Sequence, residues 1–151
     1  MLRDEINTAL KEAMKARDER RVSTLRLINA ALKNADIEAQ GRGKPVLSDE
    51  DILGLLQKLI KQRQEAIELY DQAGRAELAA RERGEMEIIG AYLPQQMSEA
   101  EGKAAVADAI KATGASGIKD MGKVMAALKQ DFAGRMDFAK ARGWVKQLLA
   151  G

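Results

Sequence analysis

The sequence predicts an all-α fold, with an N-terminal helical lobe that includes a long helical hairpin, followed by a small three-helix bundle. Three observations carry this. Apolar residues recur at steps of three and four along most of the chain, and no segment alternates like a strand. Aromatics are only 3% of residues, so leucine, alanine, isoleucine, methionine and valine must fill the core. Glu, Lys, Arg and Gln are abundant and there are two prolines, a helix-forming composition.

The first helix is expected from Leu2 to Arg17. Leu2, Ile6, Ala9, Leu10, Ala13 and Met14 fall on one stripe. A second covers about Glu19 to Gln40, with Val22, Leu25, Ile28, Leu32, Ala35 and Ile37 inward. Two glycines and a proline make residues 41–47 a loop. Ser48 then caps a third helix, Asp49 to Ala73, whose first turn carries Asp49, Glu50 and Asp51 against the positive helix end. That helix would run about 37 Å at 1.5 Å per residue. Its apolar set is Ile52, Leu53, Leu55, Leu56, Leu59, Ile60, Ile67 and Tyr70, and Gly74 stops it. A fourth helix, about Arg75 to Ala91, returns beside it, with Glu77 and Arg81 spaced to pair.

Pro94 disfavours helix at the residue before it and closes the first domain, residues 1–94. In the second domain, residues 95–151, Ser98 and Glu101 form the capping box of a fifth helix that runs to about Thr113, before Gly114. A sixth helix spans about Lys119 to Gln130. A seventh starts near Asp137 and carries Phe138, Ala141, Trp144, Val145, Leu148 and Leu149.

Cysteine and histidine are both absent. Disulfides, thiolate chemistry, a histidine base and most zinc sites are thereby excluded, and no cofactor or metal is expected. The opening stretch through Arg21 is charged throughout and lacks an apolar signal core. No apolar run approaches the roughly 20 residues that span a bilayer. The expectation is a cytoplasmic protein. Net charge is +2, unevenly spread: residues 1–93 hold 16 basic and 17 acidic side chains, and residues 94–151 hold 9 and 6. The C-terminal domain is therefore mildly cationic.

Four groups of residues invite a chemical reading. Gly117, Gly122 and Lys123 match the core of a phosphate-binding P-loop. Val124 stands where that loop needs Ser or Thr, no strand precedes it, and Asp120 lies inside it. The plainer reading is a helix start capped by Asp120 or Ser116, with Gly122 allowing close helix packing. Second, Lys119, Lys123, Lys129, Arg135, Lys140, Arg142 and Lys146 fall in the last two helices and their connection. They suit a phosphate backbone or, more simply, a solvated face. With aromatics so few, base stacking on a single strand is not expected; contact with structured RNA by shape and backbone stays open beside the solvated-face reading. Third, Arg17, Arg20, Arg21 and Arg26 cluster at the first helix–helix turn, diluted by Asp18 and Glu19, and intramolecular salt links across the turn are favoured over ligand contact. Fourth, Glu82, Glu85 and Glu87 read as a solvated face.

The chain resembles the YqeY proteins over essentially its whole length. The landmarks are Lys61, Gln62 and Arg63, then Ala73, Gly74 and Arg75, then Glu85 and Glu87, then Tyr92, Leu93, Pro94 and Gln96. Lys119 to Met125, followed by Gly134 and Arg135, match a C-terminal signature. The resemblance implies the fold of the C-terminal tail of GatB, a component of glutamine-dependent aminoacyl-tRNA amidotransferase; that tail is a helical appendage that helps recognise tRNA. It implies contact with tRNA or a tRNA-processing complex. Carbon–nitrogen ligase activity is attached to the relationship by homology, but residues corresponding to the enzyme's ATP, magnesium and ammonia-channel sites are lacking. On this basis Lys119, Lys123 and Arg135 are expected to meet phosphates, with Arg142 and Lys146 adding diffuse charge. The alternative is a protein–protein adaptor that uses the long hairpin and has no RNA role.

Overall fold

A computed structural model describes residues 1–43 and 46–150. Among the described residues there are seven α-helices, one 3-10 turn and no strand. The chain divides into two compact units, Met1–Pro94 and Gln95–Gly151.

The first unit holds α1 (Leu2–Ala16), α2 (Glu19–Gly41), α3 (Asp49–Gln72) and α4 (Ala76–Gly90). Spacing of three and four in α1 buries Leu2, Ile6, Ala9 and Ala13 on one face. The Asp18 side chain caps α2 by accepting from the Arg21 N–H at 3.2 Å. Leu25, Ile28 and Leu32 of α2 meet Ile6, Ile52, Leu56 and Ile89 in a single apolar core. Truncating one of these leucines to alanine costs about 2–5 kcal/mol. Ile37 is not inward as expected but 66% exposed. It lies five positions beyond Leu32, off the stripe that Ala39 continues.

A capping box starts α3: the Asp51 N–H donates to Ser48 Oγ and the Ser48 N–H to Asp51 Oδ2, both at 3.1 Å. Gly41 still belongs to α2, while Lys44 and Pro45 of the expected loop lie outside the described residues. Gly74, at φ 71°, ends the third helix as expected, and the Arg75 N–H closes the cap on the Tyr70 carbonyl at 2.8 Å. α4 then packs along α3. Glu77 pairs with Arg75 at 3.3 Å, not with Arg81. In the half of α3 near Gly74, Ile67 and Tyr70 are only half-buried and Leu69 is exposed.

The second unit holds α5 (Glu99–Thr113), a 3-10 turn (Ile118–Asp120), α6 (Met121–Phe132) and α7 (Phe138–Ala150). The expected capping box opens α5: the Glu101 N–H donates to Ser98 Oγ at 3.1 Å, and the Ser98 N–H to Glu101 Oε1 at 3.0 Å. Val106, Val124, Met125, Leu128, Met136, Ala141 and Val145 form the core, whereas Leu148 is exposed. The close helix approach expected at Gly122 is found at Gly102 instead. A Cβ there would lie 2.8 Å from Trp144 Cζ3, while one at Gly122 would meet nothing within 4 Å. Among the described residues, no helix is long and apolar enough to cross a membrane.

Candidate functional site

The stretch that matched a P-loop in part is a 3-10 turn running into α6. Its loop is closed by Asp120, whose Oδ2 accepts from the Ser116 N–H at 2.9 Å. Of the two expected caps, Asp120 holds the N-cap position of α6, though its side chain makes no cap bond to that helix, and Ser116 lies outside it. The carboxylate points back along the chain and satisfies the preceding loop. The Ser116 backbone bond holds the Asp120 carboxyl below its ordinary range against the opposing effect of desolvation. The nearby charges of Lys123 and Lys119 add to the lowering.

Lys119 and Lys123 are thus brought together around one ionised carboxylate. Lys123 Nζ also reaches the Thr113 carbonyl at 3.5 Å. Both lysines are exposed, and neither has a carboxylate oxygen within 4 Å among the described ion pairs. Gly122 lies between them in the first turn of α6, exposed and without a packing partner for a side chain. The N–H groups that lead into this turn are already engaged: that of Asp120 donates to the Gly117 carbonyl at 2.9 Å and that of Met121 to the Ile118 carbonyl.

Arg135 is drawn elsewhere. Its Nε donates to the Gln95 carbonyl at 3.1 Å, and its guanidinium lies 5.9 Å from the centre of the Phe132 ring. The Arg135 carbonyl accepts from the Met97 N–H at 2.9 Å, and Gln96 Nε2 donates to the Gly134 carbonyl at 2.6 Å. Arg135 therefore ties the start of the unit to the α6–α7 turn, a structural task that its place in a charge pattern did not reveal. Arg142 and Lys146 are exposed, one turn apart on α7, with no ion pair among the described residues. Lys103 is already engaged, 3.2 Å from Glu99 and 5.8 Å from the Trp144 ring centre.

In the first unit the charge pattern misleads in both directions. Glu82 and Glu85 are not on a solvated face. They flank Arg63, which is only 7% exposed, at 4.0 and 3.0 Å from its Nε. The signal was available: Arg63 continues the stripe Ile52, Leu56, Leu59, and Glu82 and Glu85 continue the stripe of Ile89. Conversely, Arg17, Arg20, Arg21 and Arg26 make none of the expected salt links among the described residues. Arg20 instead lies over Gly84 of α4, where a Cβ would stand 2.7 Å from its Nη1.

No described cluster of His, Cys, Asp or Glu could hold a metal ion. What the second unit offers is exposed cationic side chains at its surface, a means of meeting anionic oxygens.

Comparison with known proteins places the chain. The profile of the family described as Yqey-like protein matches residues 3–149, and the chain belongs to that family. It is 42% identical over 94 residues to "Altered inheritance of mitochondria protein 41, mitochondrial" of Lachancea thermotolerans, covering 61% of this chain and 49% of the relative. The protein of the same name in Eremothecium gossypii is 38% identical over 101 residues, covering 66% and 54%. An uncharacterised protein of Schizosaccharomyces pombe is 33% identical over 93 residues, covering 62% and 72%. The chain spans about half the length of the mitochondrial relatives. Their names overturn the cytoplasmic expectation. That expectation rested on the absence of cysteine, of an apolar signal core and of a bilayer-spanning run, which any reducing aqueous compartment permits.

Proposed function

We propose that this member of the Yqey-like family is a tRNA-contacting helical module that meets the phosphate backbone through its C-terminal unit. In this reading it is an accessory to amidated-tRNA synthesis without a catalytic centre of its own. The observation that carries it is the pair Lys119 and Lys123 on either side of Gly122. Two exposed cations flank a helix start whose nearby carboxylate, Asp120, is occupied by Ser116. A glycine without a packing role leaves room for a bulky anion to approach the two lysines. Arg142 and Lys146 add diffuse charge, and Arg135 contributes mainly by holding the unit together.

The test is the binding of bulk tRNA to the full chain as a function of salt. A backbone-dominated complex weakens steeply as salt rises. Replacing Lys119, Lys123, Arg142 and Lys146 with Gln is expected to lower the log–log slope by about three units, at roughly 0.7–0.9 per phosphate met. Absence of binding at low salt overturns the proposal. It would leave the second reading, a protein–protein adaptor, which the exposed Leu69 on the α3–α4 hairpin favours. The purified chain is expected to show no glutaminase or amidotransfer turnover.

A further inference from the structure

We infer that the groove between α1 and α2 is a second RNA-backbone contact, separate from the cations of the C-terminal unit. Two depressions of about 510 and 520 Å³ adjoin there, sharing Arg26. Arg17 and Ser23 line one; Asn7, Asn29 and Lys33 line the other. The acids on the walls are Glu19 and Asp36, and Asp36 is neutralised by a two-pronged bond from Arg3 at 2.7 and 3.1 Å. Arg17, Arg26 and Lys33 are exposed, with no ion pair among the described residues. The groove thus has a surplus of positive charge and neutral donors of the kinds that bind phosphate oxygens.

A second observation points the same way. Arg17 is the one non-glycine residue with positive φ among the described residues, at φ 56° and ψ 35°. It closes α1 in the left-handed conformation that glycine or asparagine adopts at little cost. An arginine placed there puts a cation at the mouth of the groove in spite of the strain.

The shape selects the ligand. From Ser23 to Lys33 the α2 wall runs about 15 Å, longer than one phosphate group and suited to an extended backbone. Among the described residues, Val22 and Ala30 are the only apolar ones on its walls, and Val22 already packs against the core. A protein partner would require larger apolar anchors. That the polyanion is RNA rests on the proposed function; that the groove takes an extended polyanion does not.

The experiment compares two variants of the full chain in the same tRNA titration against salt. One carries Arg17→Gly, Arg26→Gln and Lys33→Gln; the other carries the four C-terminal substitutions. The groove variant is expected to lose about two units of slope, at roughly 0.7 per phosphate of a single strand, while remaining folded by circular dichroism. Arg17→Gly relieves the strained turn, so weaker binding with undiminished thermal stability separates contact from folding. An unchanged slope in the folded groove variant overturns the inference, whatever the C-terminal variant does. A loss confined to the groove variant upholds it and overturns the C-terminal reading. If a polyglutamate peptide binds the unmodified chain as tightly as tRNA and the groove variant loses only that peptide, the groove is a protein-contact surface and the inference falls.

Discussion

Arg63 of α3 is bonded across the hairpin to Glu85 of α4, Nε to Oε2 at 3.0 Å, while its Nη1 donates to the Leu59 carbonyl at 2.9 Å. Two of the guanidinium's five N–H donors are thereby directed inside the first unit, with Glu82 at 4.0 Å as a second counter-charge. Taking one partner away leaves a buried charge poorly compensated. Glu85→Gln is expected to destabilise the chain by about 2 kcal/mol, somewhat less than full rupture of a buried pair because Glu82 remains. The double replacement Arg63→Met with Glu85→Leu is expected to recover most of that loss, since desolvating the pair offsets much of its attraction. Urea unfolding of the three variants checks this. A double variant no more stable than Glu85→Gln would show that the ions themselves hold the hairpin.

Thr24 is buried on α2, and its hydroxyl oxygen has no hydrogen-bonding partner among the described atoms. An unsatisfied buried hydroxyl costs about 1–3 kcal/mol relative to a paired one. Valine has the same shape without the polar atom. Thr24→Val is expected to raise stability by about 1 kcal/mol and the melting temperature with it. A fall in melting temperature would contradict the absence of a partner.

Gly102 and Gly122 both stand in helices, yet alanine should act oppositely at the two. At Gly102 the new methyl would press on the Trp144 ring, at 2.8 Å from Cζ3. Overpacking of this kind costs about 1–3 kcal/mol, part of which alanine's better helix propensity returns. A net loss of about 1 kcal/mol is expected, together with a changed Trp144 fluorescence spectrum. At Gly122 nothing lies within 4 Å. There alanine is expected to stabilise by about 0.5 kcal/mol while weakening tRNA binding.

Glu101, with Asp120, contributes to the acid sensitivity of the second unit. The backbone bond with Ser98, then the side-chain bond with Ser98, hold its carboxyl below the ordinary value of 4.5, and Arg135 adds to this. A carboxyl lowered by folding contributes stability above its unfolded value, and that contribution is lost as pH falls through the folded value. The capping box should therefore weaken progressively below the ordinary 4.5. Glu101→Gln is expected to be less stable at neutral pH and to show a flatter decline on acidification. Parallel unfolding curves for the two proteins from neutral pH to pH 3 would exclude this role.

Much of the chain's local structure was legible before any packing was known. Ser48 and Ser98 each start a helix and Gly74 ends one, because caps and stops are settled within a turn of backbone. The apolar stripes of α1 and α3 were legible for the same reason, as periodicity is a local property. The candidate cations of the C-terminal unit could also be named, though not the bonds they make. Arg135 proved to be engaged with Gln95, and Lys119 and Lys123 gathered around Asp120.

Partnership across helices was settled only by the packed chain. Arg63 and Glu85 lie 22 residues apart, and their bond depends on the register in which α3 and α4 meet. Gly102 and Gly122 are alike in sequence terms, yet only one lies beneath a tryptophan ring. The arginines near the first turn found neither Asp18 nor Glu19 as ion-pair partners, since Asp18 turned its carboxylate to the helix start. A residue's type and its place along a helix set which face it occupies; the neighbour opposite that face is chosen by how separate helices pack, a long-range condition that no local window contains.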